Sequence, residues 1–234
     1  MELIGEHTMI SDFISQVNPS IRKRSGSVFY SGRRAFGQPS DIYILGLNPG
    51  GCPCDQAKDT IDRDLEAITG QDREYWSAYR DDRWTGEPGE SVMQLRVRYL
   101  LKQLGLNPRE VPASNVVFVR SRRERDLRRE KSALLSSCWP FHEAVIRQLG
   151  IRNILCFGGT AGLWVREKLG AHRELIDHFQ EENRRRWTSK AHCTADGLCV
   201  FTLTHPSIAK WDAAATDPTG FVKEVINRQR PMSA

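Results

Sequence analysis

The sequence predicts an α/β fold, a three-layer α/β/α sandwich around a short, mostly parallel sheet of four strands. Two observations lead to this prediction. Four short, nearly continuous apolar runs are typical of strands that are covered on both faces. The stretches between them have the apolar spacing and the glycine stops of helices. Strands that alternate with helices imply right-handed crossovers and parallel pairing.

The four predicted strands are rich in β-branched residues and span 41–47, 115–119, 153–157 and 198–203. The first predicted helix spans 91–104, and its apolar face consists of Val92, Leu95, Tyr99 and Leu100. Two further helices are predicted over 131–149 and 160–169. The less regular region 52–89 is expected to pack onto the body through Trp76, Tyr79 and Trp84. We expect a single domain over 1–234, with residues 1–40 as an N-terminal extension packed on the core.

The composition excludes several classes of protein. The chain has 234 residues, of which 39% are hydrophobic and 27% are charged without long blocks, which excludes a disordered tail or a collagen-like fibre. No apolar run approaches the roughly 18 residues of a spanning helix, so we expect no membrane partner. The first residues lack the features of a signal peptide. We therefore expect a cytoplasmic monomer whose six cysteines are reduced thiols.

Basic residues are unevenly distributed along the chain. Arginine outnumbers lysine by 26 to 8, and its planar guanidinium suits bidentate phosphate contacts. Residues 115–131 carry seven basic side chains against three acidic ones. Six of the seven are arginines: Arg120, Arg122, Arg123, Arg125, Arg128 and Arg129. This density indicates a polyanion partner, and the alternative is a solvated helix face whose charges pair with neighbouring acids.

Two polar loops follow predicted strands at the sheet edge where α/β folds bind ligands. Residues 46–51 (Gly-Leu-Asn-Pro-Gly-Gly) follow the first strand, and residues 204–207 (Thr-His-Pro-Ser) follow the fourth. Each loop alone also has a structural explanation, with Asn48 as a turn cap and His205 as a structural histidine held extended before a proline. Together, at two strand ends, they predict one functional site.

At these residues the sequence resembles the uracil-DNA glycosylase superfamily. The loop at 46–50 is similar to the water-positioning motif of its mismatch-specific and single-strand-selective branches, and residues 205–207 are similar to its second motif. The stretches 138–142 and 154–158 are similar to the helix and central strand that join the motifs. The resemblance extends over roughly residues 41–226, with a loose match over 52–89.

The resemblance implies a monofunctional DNA glycosylase that flips a uracil or an enlarged pyrimidine out of single- or double-stranded DNA and hydrolyses its glycosidic bond. Asn48 would orient the attacking water, and His205 would donate a hydrogen bond to the departing base. The implied base pocket consists of Gly46, Leu47, Pro49, Gly50, Gly51 and Asn115. The implied DNA contacts are Arg120, Arg122, Arg123, Ser207 and Lys210. No cofactor or metal is implied.

Asn115 is expected to open the second strand, where it resembles an asparagine that reads the pyrimidine edge in several branches. An amide offers both a donor and an acceptor, so it could pair with uracil or, flipped, with cytosine. The alternative is a cap at the entry of the strand.

Three departures from the superfamily pattern matter. Gly50 and Gly51 stand where the most uracil-specific branch places a tyrosine, which lowers the pocket wall and would admit a larger base. The pair Cys52 and Cys54 does not supply the pattern of the iron–sulfur branches. After Ser207 the usual leucine or arginine wedge is replaced by residues 208–211 (Ile-Ala-Lys-Trp), one of which could fill the gap left by the flipped base. The tryptophan suits a core position equally well.

Two other functions are compatible with the sequence. One is a catalytically silent nucleic-acid-binding module on the same fold. The other is a nucleotide-binding α/β enzyme in which Gly158, Gly159 and Thr160 cradle a phosphate at a helix start. That alternative lacks the Walker lysine and the spaced glycines of a dinucleotide site. For a glycosylase, both DNA repair and defence against foreign DNA with modified bases stay open.

Overall fold

A computed structural model describes residues 2–171 and 175–229. These residues form seven α-helices and six strands, which confirms the α/β class. The helices are α1 (Glu2–Ser15), α2 (Arg33–Phe36), α3 (Ile61–Ala67), α4 (Val92–Gln103), α5 (Lys131–Leu149), α6 (Gly159–Leu169) and α7 (Thr219–Gln229). The strands are β1 (Ile42–Gly46), β2 (Ala113–Asn115), β3 (Asn153–Phe157), β4 (Leu175–Gln180), β5 (Thr188–Cys193) and β6 (Cys199–Leu203).

The chain folds into two compact units that are each built from separate stretches of sequence. The first unit contains residues 2–78 and 109–151, and therefore β1, β2 and the long helix α5. The second unit contains residues 79–108, 152–171 and 175–229, and therefore β3 to β6 with α4, α6 and α7.

In the first unit β1 and β2 pair in parallel, with Gly46 opposite Asn115. All five residues of β1 are buried, as its continuous apolar run predicts. The core beside it contains phenylalanine rings whose centroids lie 5.0–6.4 Å apart, mostly edge to face. These rings belong to Phe13, Phe29, Phe36, Phe118 and Phe141.

In the second unit β3 pairs in parallel with β6, whereas β5 pairs antiparallel with both β6 and β4. The prediction of a four-stranded, mostly parallel sheet is therefore wrong, because the structure describes six strands and the pairings of β5 are antiparallel. The missed strands are β4 and β5, whose sequences (Leu-Ile-Asp-His-Phe-Gln and Thr-Ser-Lys-Ala-His-Cys) lack a continuous apolar run. None of the six residues of β4 is buried, so the strand does not need the apolar pattern by which a sequence reveals a buried strand.

Two of the six cysteines form a disulfide, which corrects the expectation that all are reduced thiols. Cys193 ends β5 and Cys199 begins β6, and the antiparallel register places them opposite each other. The other four cysteines are free: Cys52, Cys54, Cys138 and Cys156. Burial raises the pKa of the Cys138 thiol to about 12, which keeps it protonated at neutral pH.

The helices lie close to their predicted bounds, but α4 presents a different face to the core. Ser91 and Gln94 form a capping box at its start, and Gly105 follows its end with a φ of 72°. Val92 and Leu95, which the spacing predicts to be buried, are 57% and 50% exposed. Leu100 is buried as predicted, and Gln94, Val97 and Leu101 form the rest of the buried face.

The region 52–89 is more regular than predicted, because it contains α3. Trp76 and Tyr79 are buried, whereas Trp84 is half-buried and contacts the Tyr79 ring. In the described ranges, no helix has both the length and the apolar character that a membrane crossing requires.

Candidate functional site

The side chain of Asn48 is fixed by hydrogen bonds from its amide nitrogen. The loop 46–51 leaves the carboxyl end of β1, and Asn48 Nδ2 donates to the Pro49 carbonyl at 2.8 Å and to Ser121 Oγ at 2.9 Å. The backbone N–H of Ser121 donates in turn to the Pro49 carbonyl at 3.1 Å. Since the nitrogen is engaged, Oδ1 is the atom of the Asn48 amide that can accept a hydrogen bond from water.

The two glycines of the loop differ in their surroundings. A β-carbon at Gly50 would meet no described residue within 4 Å, so this position faces open space. Gly51 has a φ of 104°, and a β-carbon there would lie 2.0 Å from Gln56 Oε1. Arg120, predicted as a DNA contact, holds the loop by donating from Nη1 to the Gly50 carbonyl at 2.5 Å and from Nε to Ser25 Oγ at 3.2 Å.

Asn115 closes β2, which corrects the prediction that it opens a strand. The strand ends at Asn115, and the next residue, Val116, donates its N–H to the Gly46 carbonyl at the end of β1. Asn115 is only 5% exposed, and its Nδ2 has no hydrogen-bond partner among the residues that the structure describes. A β-carbon on Gly46 would lie 2.2 Å from Asn115 Oδ1, so the glycine makes room for this amide. A buried donor without a partner costs about 1–3 kcal/mol, which a ligand acceptor could recover.

His142, the histidine of the 138–142 stretch, lies in the protein core. His142 is fully buried in α5, and its Nδ1 lies 2.8 Å from the hydroxyl of Tyr43. Burial lowers the pKa of His142 to about 3, so the imidazole is neutral at physiological pH.

In the second unit the loop 204–207 fixes the tautomer of His205. The Nδ1 atom lies 3.2 Å from the backbone nitrogen of Ser207 and 2.7 Å from its Oγ. A backbone N–H can only donate, so Nδ1 accepts and the neutral ring carries its proton on Nε2. Burial lowers the pKa of His205, which favours that neutral form. Arg96 steadies the loop by donating to the Pro206 carbonyl at 2.6 Å.

The four residues 208–211, one of which is predicted to act as the wedge, differ in their burial. Trp211 is fully buried, with its ring 5.3 Å from that of Phe157. Ile208 is 49% exposed, and Lys210 is exposed as well. Ile208 is therefore the apolar side chain of this stretch that can reach a ligand.

Gly158, the first residue of the alternative phosphate cradle, lies against the ring of His205. Gly158 has a φ of 95°, and a β-carbon there would lie 3.5 Å from the imidazole ring of His205. Its N–H donates to the Leu203 carbonyl at 2.9 Å and is thus engaged within the fold.

The arginines at 120–129 are weakly neutralised. Arg122 lies 3.7 Å from Asp55 and Arg125 lies 4.0 Å from Asp126, and all four side chains are exposed. Exposed pairs of this kind contribute about 0–1 kcal/mol. Glu124 and the neighbouring Glu130 form ion pairs with cations outside the arginine cluster, Lys131 and Arg24. Within the described ranges, Arg123, Arg128 and Arg129 form no ion pair.

Two residues of the candidate site carry no sequence motif. Ser121 and Gln56 stand outside the motifs that contain Asn48 and Gly51, and each becomes part of the loop environment only through the tertiary fold. Ser121 is 5% exposed although it stands among arginines. A single serine within a run of arginines is the one hint that the sequence offers.

Asn48 and Asn115 belong to the first unit, and His205 belongs to the second. In the parts of the chain that the structure describes, no group of three or more His, Cys, Asp or Glu side chains is arranged to hold a metal ion. No protein-family model matches the chain. No curated protein matches it significantly.

Proposed function

We propose that the protein is a monofunctional DNA glycosylase that releases uracil or a modified pyrimidine from DNA. The observation that carries this proposal is the fixed amide of Asn48, whose nitrogen is engaged by Ser121 and Pro49 while its oxygen stays available as an acceptor. An acceptor held in one orientation at a strand end is suited to positioning a water molecule for attack.

The two loops supply complementary chemistry. Glycosidic cleavage passes through an oxocarbenium-like sugar and an anionic leaving base. In the proposal, Asn48 Oδ1 accepts a hydrogen bond from the water and directs it toward C1′. The neutral amide takes no proton, so it acts through orientation. As the C1′–N bond breaks and the C1′–O bond forms, the proton that the water loses neutralises the released base anion. His205 donates from Nε2 to the pyrimidine O2, where negative charge develops, and a preorganised donor of this kind contributes about 3–4 kcal/mol.

The base would be read by Asn115. Its unpartnered Nδ2 is a donor for a base carbonyl, and burial at the end of β2 makes that hydrogen bond valuable. The open space at Gly50 supports a substrate class that includes pyrimidines with a substituent at C5. The exposed side chain of Ile208 would fill the space in the stack that the flipped nucleotide leaves.

The test is a base-release assay in EDTA on single-stranded and duplex oligonucleotides that contain uracil or one of a panel of modified pyrimidines. Abasic sites are revealed by alkaline cleavage under single-turnover conditions. His205→Ala should slow release about a hundredfold or more, because the variant has no donor for the developing anion. Asn48→Ala should lower the rate and leave DNA affinity largely unchanged. His178→Ala, an exposed histidine in β4, is the matched control.

The double variant tests whether the two loops serve one reaction. Groups that stabilise the same transition state are not additive, so His205→Ala in the Asn48→Ala background should cost less than it does in the parent. Full activity of His205→Ala would overturn its role. DNA binding without release of any base from the panel would favour the catalytically silent module.

A further inference from the structure

An exposed face of α4 lines a groove of about 590 Å³ in the second unit. Leu95, Arg98, Tyr99 and Lys102 lie at spacings of three, four and seven residues and therefore share one side of the helix. Arg80 and residues 105–108 complete the wall. This face differs from an ordinary solvated helix surface, because it combines cations with an aromatic and an aliphatic side chain.

The groove carries uncompensated positive charge. Three of its lining side chains are cations, and no carboxylate in the described ranges forms an ion pair with Arg80, Arg98 or Lys102. Arg98 is also held in place, since its Nη1 donates to the Gly89 carbonyl at 3.0 Å. Three unpaired cations in one concave surface raise the local concentration of anions.

The same groove presents a fixed aromatic ring. The hydroxyl of Tyr99 donates to Asp217 Oδ2 at 2.8 Å, and Asp217 in turn accepts the backbone N–H of Thr219 at 2.8 Å. The far end of the tyrosine is thereby anchored while the ring lines the groove beside Leu95, which is 50% exposed. An anchored ring next to an exposed aliphatic side chain is a platform on which a planar base can stack.

We propose that this groove binds a segment of single-stranded nucleic acid, with its phosphates on Arg80, Arg98 and Lys102 and one base stacked on Tyr99. Proteins that bind single strands without sequence preference combine cationic side chains along the phosphate backbone with aromatic side chains on which the bases stack. The volume lies within the range of about 300–1,000 Å³ that is usual for ligand sites. The inference does not depend on base release.

The charge component is tested by fluorescence anisotropy with a labelled oligothymidine and the full-length protein. Arg80→Ala combined with Lys102→Ala should weaken binding about tenfold at low salt. It should also reduce the slope of log affinity against log salt by about 1.4, because each single-strand phosphate contact contributes about 0.7. Lys223→Ala, which removes an exposed lysine from α7, is the matched control and should change neither quantity. Unchanged affinity and slope in the double variant would overturn the proposal.

The stacking component is tested at Tyr99. Tyr99→Leu should lower oligothymidine affinity about fivefold or more, because it removes the ring on which the base stacks, whereas Tyr99→Phe keeps the ring and should retain most of the affinity. Inorganic polyphosphate, which has charge but no base, should bind Tyr99→Leu and the parent equally. Parental oligothymidine affinity in Tyr99→Leu would overturn the stacking interaction. Thermal melts of each variant distinguish a weakened binding surface from an unfolded protein.

The outcomes for the groove and for the proposed catalysis are distinct. If no base is released but the double variant still weakens oligothymidine binding, the glycosylase proposal fails and the groove proposal stands. If bases are released and the groove variants bind oligothymidine like the parent, the groove proposal fails alone.

Discussion

The amide nitrogen of Asn48 lies 2.9 Å from Oγ of Ser121, a residue 73 positions further along the chain. The Ser121 hydroxyl donates its own proton to the Arg123 carbonyl at 3.0 Å, so toward Asn48 it can only accept. This chain of hydrogen bonds selects one of the two orientations of the amide. The direction of Asn48 is therefore a property of the tertiary fold and not of the loop alone.

Ser121→Ala should remove the hydrogen bond that fixes the orientation of the Asn48 amide and let the amide rotate. We expect the single-turnover rate of base release to fall about tenfold while DNA affinity stays unchanged, and the free energy of unfolding to fall by about 1 kcal/mol. Ser121→Thr keeps the hydroxyl and should recover most of the rate. If both variants release the base at the parental rate, Ser121 does not position Asn48 for chemistry.

Substitutions at Gly50 and Gly51 should have different effects. Gly50→Tyr places a ring in open space and should depress release of C5-substituted pyrimidines relative to uracil. Gly51→Tyr forces a side chain into a φ of 104° and against Gln56, so we expect lower stability and loss of activity on every base. The ratio of single-turnover rates on the two kinds of base is the measurement. An equal loss in Gly50→Tyr would contradict a role in selectivity.

The exposed arginines offer a test of DNA binding by salt dependence. Arg122→Ala combined with Arg123→Ala should weaken duplex binding and reduce the log–log salt slope by about 1.8, because each phosphate that a side chain neutralises on duplex DNA contributes about 0.9. Base preference should not change, because phosphate contacts do not read sequence. Arg83→Ala, an exposed arginine outside the cluster, is the control. Unchanged affinity and slope would direct the search to Arg184–Arg186 and Lys210.

His142 should make stability depend on pH. Its pKa falls from the ordinary value of 6.5 to about 3 on folding, so between these values the unfolded chain binds more protons than the native one. Stability is therefore lost as pH falls below 6.5. His142→Gln should remove about 2 kcal/mol of the difference in unfolding free energy between about pH 7 and about pH 5. Urea titrations at the two pH values measure it, and an identical pH difference in both proteins would refute the assignment.

The parts of the fold that could be predicted are those where burial leaves an apolar pattern. β1 and β3 are buried along their whole length, and their apolar runs placed them correctly. The sequence predicts the second strand at 115–119, whereas β2 ends at Asn115. The prediction lies too late in the chain because the run Val116–Val119 has a stronger strand propensity than the Ala-Ser-Asn of β2. The buried position of Gln94 could not be predicted, since its amide is satisfied by the Asp82 carbonyl at 2.7 Å, a tertiary contact.

The candidate site follows the same division. The positions of Asn48 and His205 just after β1 and β6 could be predicted, because each residue stands in a short polar motif that follows an apolar run. The contacts that give these side chains direction could not, because Ser121 reaches Asn48 only through the tertiary fold. The tautomer of His205 depends on the backbone geometry at Ser207, which no motif encodes.

The alternation of the two units along the chain has a consequence for recombination within the gene. Residues 79–108 belong to one unit although they interrupt the other, so neither unit is encoded by a contiguous stretch of the gene. Any crossover between codons 48 and 205 would combine parts of at least one unit from two different parents. A single crossover that keeps both units intact must therefore transmit the Asn48 loop and the His205 loop together from one parent.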